Sequence, residues 1–231
     1  MERNNIMSIN VVEKIDMFVT LKHALVSVSD KGGLDTFVPH LLEINPGLKF
    51  FSTGGTYNRL KEILGGRAET CLTQVSAYTG QPETQGGLVT TLDFKIYLGL
   101  LTETYNDAHQ ADLKRTGSVP IDMVVVNLYP FKETISKPDV TVEQARGNID
   151  IGGPCMIRAA AKNFIRVAPV VDPADYGRIV SELRAHNGRL PLDLRFRLAG
   201  KAFAHTAVYD RAIADFLADC SIEDVRGCYR K

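Results

Sequence analysis

No run of apolar residues in this 231-residue chain reaches the roughly 20 residues that a membrane-spanning helix needs, so no membrane partner is expected. Neither sign of charge dominates. Lys+Arg and Asp+Glu number 27 each, and the chain lacks the basic excess of a nucleic-acid binder. A local basic site for a small anion is still compatible with that balance. Cysteine is sparse, and Cys71, Cys155, Cys220 and Cys228 have no metal-ligand spacing, so they read as scattered thiols and no metal is expected. Cys155 reads as a small hydrophobe, because no neighbouring histidine in the sequence would activate it. The N-terminal segment contains acidic residues and has no signal-peptide apolar core, which gives a cytoplasmic expectation. Repeats, low-complexity tracts and a clear interdomain linker are also missing. What is left is an ordinary globular composition, 45% hydrophobic and 23% charged, long enough for one large α/β domain or two small ones.

Read in order, residues 1–22 form an extension expected to pack as a short helix. His23–Ser29 (HALVSVS) is of strand type and stops at Asp30-Lys31-Gly32-Gly33; Leu34–Ile44 then reads as a helix. Leu48–Phe51 is a second strand, ending at Ser52-Thr53-Gly54-Gly55-Thr56 before a helix over Tyr57–Leu64. Glu69–Val75 reads as a third strand. Strand, loop and helix repeat, which is the sequence form of a parallel sheet with helices on its faces. Two of these loops carry glycines and hydroxyls, and one carries Lys31. Such loops, at the carboxyl ends of parallel strands, offer N–H groups and side chains to a phosphate.

Ser76–Thr91, rich in glycine, threonine and glutamine, reads as a long functional loop. Leu92–Leu101 fits strand or helix, and Asp107–Arg115 a surface helix stopped by Gly117. Ile121–Tyr129 (IDMVVVNLY) reads as a buried central strand that delivers Asn127 and Tyr129 at its carboxyl end. A short helix capped by Thr141 follows over Val140–Arg146. Val167–Val171 is another strand, and Asp172-Pro173 starts a helix running to Ala185. Pro191–Leu217 reads as a long helix broken near Gly200, with His205 a packing or capping residue, and the tail after Ala218 as frayed.

The stretch Asn148–Asn163 (NIDIGGPCMIRAAAKN) combines a carboxylate, Asp150, with Gly152, Gly153 and Pro154 at a helix start and Lys162 further along. A carboxylate, N–H groups at a helix N-terminus and a lysine are parts that bind a polar ligand and move its protons. A plain glycine turn before a solvated helix accounts for the same residues equally well.

The motifs SVSDK (Ser27–Lys31), STGGT (Ser52–Thr56), VVVNLYPF (Val124–Phe131), NIDIGGP (Asn148–Pro154) and RAAAKN (Arg158–Asn163) occur in this order. Together they resemble the cyclohydrolase domain of the bifunctional AICAR transformylase/IMP cyclohydrolase family. AFAHTAVYD (Ala202–Asp210) resembles the segment that follows that domain. The resemblance runs from about His23 to Asp210. It implies an α/β fold, a parallel-sheet, methylglyoxal-synthase-like three-layer arrangement with additional C-terminal helices. It also implies a cyclohydrolase-like domain over residues 23–218, a tail over 219–231, and a stand-alone cyclohydrolase, natural or excised. The implied reaction is closure of FAICAR (5-formamidoimidazole-4-carboxamide ribotide) to IMP with loss of water, without cofactor. A purine ribonucleotide is the implied partner. Whether the chain forms a homodimer or works beside a separate transformylase stays open.

By the same resemblance, Ser29, Lys31, Thr53, Gly54, Gly55 and Thr56 would hold the ribose phosphate. Asn127 and Tyr129 would face the formyl oxygen or base, and Asp150, Ile151, Gly152 and Gly153 would hold the base. Lys162, tuned by Asp150, would be the principal proton carrier. Thr90 and Thr91 fall in a segment where the family usually reads GRVKTLHPKIHGG and this chain reads GLVTTLDFKIYLG (Gly87–Gly99). Leu88 and Thr90 replace the usual arginine and lysine, and Asp93 and Tyr97 the usual histidines; Thr91 and Lys95 match. Either Lys95 or Lys162 takes over the missing roles, or the protein binds a related nucleotide with little or no turnover. Lyase chemistry on a triose phosphate is a third reading by fold analogy.

Overall fold

The computed structural model describes residues 11–82, 84 and 89–230. The chain runs β1 (Phe18–Thr20), β2 (His23–Val28), α1 (Leu34–Ile44), β3 (Lys49–Ser52), α2 (Gly54–Leu64), α3 (Ala68–Cys71), β4 (Leu72–Gln74) and α4 (Val75–Thr79). It continues through α5 (Phe94–Leu101), α6 (Asp107–Thr116), β5 (Met123–Asn127), α7 (Phe131–Ile135), α8 (Val142–Gly147), α9 (Gly152–Lys162) and β6 (Ala168–Val170). It closes with α10 (Tyr176–Ala185), β7 (Arg189–Pro191), α11 (Leu192–Asp219) and α12 (Ile222–Gly227).

Five strands form one parallel sheet in the order β4-β3-β2-β5-β6. Successive side chains of a strand point to opposite faces, and both faces here are covered. Ala24, Val26, Phe50 and Val125 pack with Leu34, Phe37 and Leu41 of α1 and Leu60 of α2. Leu25, Phe51, Val124 and Val126 pack with Met156, Ile157, Ala160 and Ala161 of α9 and with α5 and α11. This is the three-layer α/β arrangement expected. The apolar run at Ile121–Tyr129 lies inside the sheet, with β5 paired to β2 and β6.

Several expectations are corrected. Phe18–Thr20 of the N-terminal extension is a strand, not part of a helix, and pairs antiparallel with Arg189–Pro191; residues 1–10 lie outside the described residues. Glu69–Cys71 is helical, so only Leu72–Gln74 of the third predicted strand is extended. Within Leu92–Leu101, Phe94–Leu101 is a helix, with the Asp93 carboxylate accepting from the Lys95 N–H at its start. The Ser76–Thr91 loop begins in α4, while residues 83 and 85–88 are outside the described set. Helix α11 continues through Gly200 because it packs along α9 and β6. The tail holds a capped turn, α12, in which Ser221 and Asp224 bond reciprocally.

Candidate active site

The carboxyl ends of β2, β3 and β5 open onto a cavity of about 770 Å³, and the first turn of α9 forms another wall. Every candidate site residue except Lys162 lines it. On one side, Thr53 is extended and Gly54, the first residue of α2, has φ +46°, a left-handed value that favours glycine. Lys31 Nζ donates to the carbonyls of Val28 (3.4 Å) and Ser29 (3.3 Å). Its chain passes over Gly55, where a Cβ would stand 3.8 Å from Lys31 Cε. A cation and the N-terminus of an eleven-residue helix therefore face the same space, which is the arrangement that attracts an anion. The hydroxyls of Ser27 and Thr53 lie 2.9 Å apart at its base.

Thr56 and Asn127, which line the cavity, also bond backbone beside it. The buried Thr56 hydroxyl accepts from the Val28 N–H and donates to the Val28 carbonyl, both at 3.0 Å, so it ties α2 to β2. The Asn127 amide accepts from the Asp30 N–H and donates to the Asp30 carbonyl, both at 2.9 Å. It thereby clamps the loop that carries Ser29 and Lys31.

On the other side, the Asp150 carboxylate folds back over the start of α9 and accepts from the Gly153 N–H at 2.9 Å. A Cβ on residue 153 would stand 2.4 Å from Asp150 Oδ2 and 2.7 Å from Leu128 Cδ2, so a side chain there would displace the carboxylate. A Cβ on Gly152 would likewise meet Thr91 Oγ1 at 2.3 Å and push that hydroxyl away. Two adjacent glycines thus let a carboxylate and a hydroxyl close on the backbone. Burial pushes the Asp150 carboxyl above its ordinary range, and the Gly153 hydrogen bond offsets only part of this. Thr90, Tyr129 and the exposed Ile151 complete the rim.

Lys162 is not brought to the cavity. It is the exposed last residue of α9, roughly 15 Å along the helix axis from Gly152. The spacing to Arg158 identified a shared face but carried no information about distance along the axis. Lys95 does not replace it, because Nζ donates to the Tyr78 carbonyl at 3.1 Å and sits over the Tyr78 ring. Leu88 lies outside the described residues. Lys31 is therefore the one basic side chain among the described residues lining the cavity.

His205 lies in a neighbouring cavity of about 710 Å³ with Asp172 and Lys201. It is half-buried, its Nε2 has no hydrogen-bond partner among the described residues, and burial lowers its pKa. Sequence reasoning missed Thr84 and Met156, which line the main cavity; Thr84 belongs to the loop singled out as functional. It also gave no role to Tyr209, whose hydroxyl accepts from the Asp150 N–H at 2.7 Å.

Comparison with known proteins agrees with this architecture. The family model described as MGS-like domain matches residues 34–155, more than half of the chain. The model described as AICARFT/IMPCHase bienzyme matches residues 160–229. The chain is 48% identical over 201 residues to the bifunctional purine biosynthesis protein PurH of Chlorobium phaeobacteroides (strain BS1), covering 87% of this chain and 37% of the relative. It is 47% identical over 205 residues to PurH of Bacillus subtilis (strain 168), covering 87% and 38%. The chain thus spans little more than a third of the length of these relatives. The crystal structure of ForH superposes with a TM-score of 0.72 at 31% identity, covering 86% of this chain and all of that one. The chain belongs to the MGS-like domain family.

Proposed function

We propose that the chain is an IMP cyclohydrolase, closing FAICAR to IMP with loss of water. The observation that carries this reading is the two-ended cavity, with Lys31 and the α2 N-terminus at one end and Asp150 on the first turn of α9 at the other. The 5′-phosphate of the ribotide sits at the first end, and the formamide and carboxamide lie against the second. Both reacting groups belong to one molecule, so holding them in contact supplies much of the rate. Asp150 takes a proton from the carboxamide nitrogen as it attacks the formyl carbon. The oxyanion formed on the formyl oxygen faces the first N–H groups of α9 and takes that proton back from Asp150 to become a hydroxyl; Asp150 then removes the proton of the former formamide nitrogen and passes it to the hydroxyl, which leaves as water as the ring C=N bond forms. A carboxyl raised by burial is suited to both transfers.

Mixing the protein with FAICAR and following IMP formation by absorbance tests the reading; a folded sample with no acceleration over spontaneous closure overturns it. Lys31→Ala is expected to weaken IMP binding by about tenfold to a hundredfold in calorimetry, the loss of one charge-assisted contact. Lys162→Ala is expected to leave the closure rate within about twofold, as for an exposed residue remote from the chemistry. A larger loss in that assay would return Lys162 to the site.

A second reading, a purine-nucleotide-binding module without turnover, is favoured by the single cation among the described lining residues. Calorimetry with IMP and FAICAR separates the two, because a binding module retains FAICAR unchanged.

A further inference from the structure

Asp150 is held at two points. Its carboxylate is fixed by the Gly153 N–H, and its own backbone N–H donates to the Tyr209 hydroxyl at 2.7 Å. The same hydroxyl donates to the Asn148 carbonyl at 3.4 Å, so one side chain bonds both ends of the Asn148–Asp150 segment. Ile151, the residue before α9, makes no side-chain cap bond of its own, and the Asp150 carboxylate on the Gly153 N–H does that work instead.

Tyr209 belongs to α11, a 28-residue helix that packs along α9 and β6, and the residue is 8% exposed. Phe131 of α7 meets it at 69° with centroids 6.2 Å apart. A rigid aromatic stem therefore presents one hydroxyl to a short irregular segment. We infer that Tyr209 is a positioning residue for the reaction, fixing the backbone that carries Asp150 so that its carboxylate meets the substrate nitrogen. Misplacement of a reacting group by an ångström costs about a hundredfold in rate; local bonds to Ala145, Arg146 and Gln144 hold Asn148 and Ile149, while this hydroxyl reaches the Asp150 backbone itself from a distant helix. The inference rests on the cyclohydrolase reading for its kinetic part only.

Tyr209→Phe removes the hydroxyl and keeps the ring against Phe131. The closure of FAICAR is expected to lose about tenfold or more in kcat, with KM changed far less. The acid limb of the pH–rate profile, set by Asp150, is expected to move to lower pH, because a loosened segment admits water and the carboxyl relaxes toward its ordinary value. Phe131→Leu is the control. It disturbs the same packing but leaves the hydroxyl, and it is expected to lower Tm without moving the limb. An unchanged kcat and limb in folded Tyr209→Phe, or an equal displacement in Phe131→Leu, overturns the inference.

A titration independent of turnover separates this from failure of the functional reading. In protein labelled with 13C at aspartate carboxyls, the Asp150 resonance is assigned by its loss in Asp150→Asn. Its titration is expected to shift downward in Tyr209→Phe. If the wild-type chain does not close FAICAR but this shift is seen, the functional reading fails while Tyr209 still positions Asp150. If the resonance titrates identically in both proteins, the positioning role fails whatever the activity.

Discussion

Asp150→Asn is expected to lower the catalysed closure of FAICAR by at least about a hundredfold, the usual contribution of a positioned proton carrier, without lowering Tm at neutral pH. The amide has nearly the same shape, and its oxygen still accepts from the Gly153 N–H where the carboxylate does at 2.9 Å. What it cannot do is take a proton. The stability side follows from linkage. Burial raises the Asp150 carboxyl in the folded chain above its unfolded value. The folded state therefore holds the proton more tightly, and stability falls as pH rises from the unfolded pKa through the folded one. Below that window Asp150 and its amide substitute are equivalent. Above it the wild-type chain carries a disfavoured charge that Asp150→Asn lacks. Scanning calorimetry across acid and neutral pH should therefore show equal Tm values at low pH and an equal or higher Tm for the variant at neutrality. Retained activity would remove Asp150 from the chemistry. A large loss of Tm would mean that the carboxylate is a structural strut.

Much of this site is legible in the sequence because short-range chemistry builds it. Gly152 and Gly153 announce a close approach, and Thr91 and Asp150 are what approach. The glycine and hydroxyl loops after β2 and β3 fall at carboxyl ends of parallel strands, where α/β sheets hold ligands. What the sequence hides is direction and distance. Period 3.6 places Lys162 on a face with Arg158, yet the helix carries it away from the cavity. Thr56 and Asn127 line the cavity, and each also closes a pair of bonds with distant backbone, at Val28 and Asp30, which composition does not show. The two-stranded pairing of β1 with β7 joins three-residue segments from opposite ends of the chain. Neither segment is long enough to show an alternating pattern. Tyr209 was visible within AFAHTAVYD, but its bond to Asp150 exists only once α11 lies against α9.

Arg195→Met is expected to lower the free energy of unfolding by about 3–5 kcal/mol, which for a chain of this size lowers Tm by about 10 °C. Arg195 is fully buried near the start of α11 and has no carboxylate partner within salt-bridge distance among the described residues. Its guanidinium donates instead to four carbonyls: Phe164 and Ile165 at 3.0 Å, Asp16 at 2.7 Å, and Leu190 at close range. One planar fork thus joins the segment before β1, strand β7 and the turn after α9 to helix α11. Burial lowers its pKa to about 10, so the side chain is still charged at neutral pH and the carbonyl dipoles compensate the charge. Methionine fills a similar volume but leaves those carbonyls without donors, each costing about 1–3 kcal/mol when buried. Arg195→Lys keeps the charge and loses the fork geometry, so it is expected to fall between the two. Urea unfolding of the three proteins measures the series, and a loss below about 1 kcal/mol for Arg195→Met would show that water reaches these carbonyls. The consequence extends to the site. Arg195 fixes one end of the helix whose middle carries Tyr209, so destabilised variants at position 195 are expected to loosen the Asp150 segment before the sheet itself unfolds.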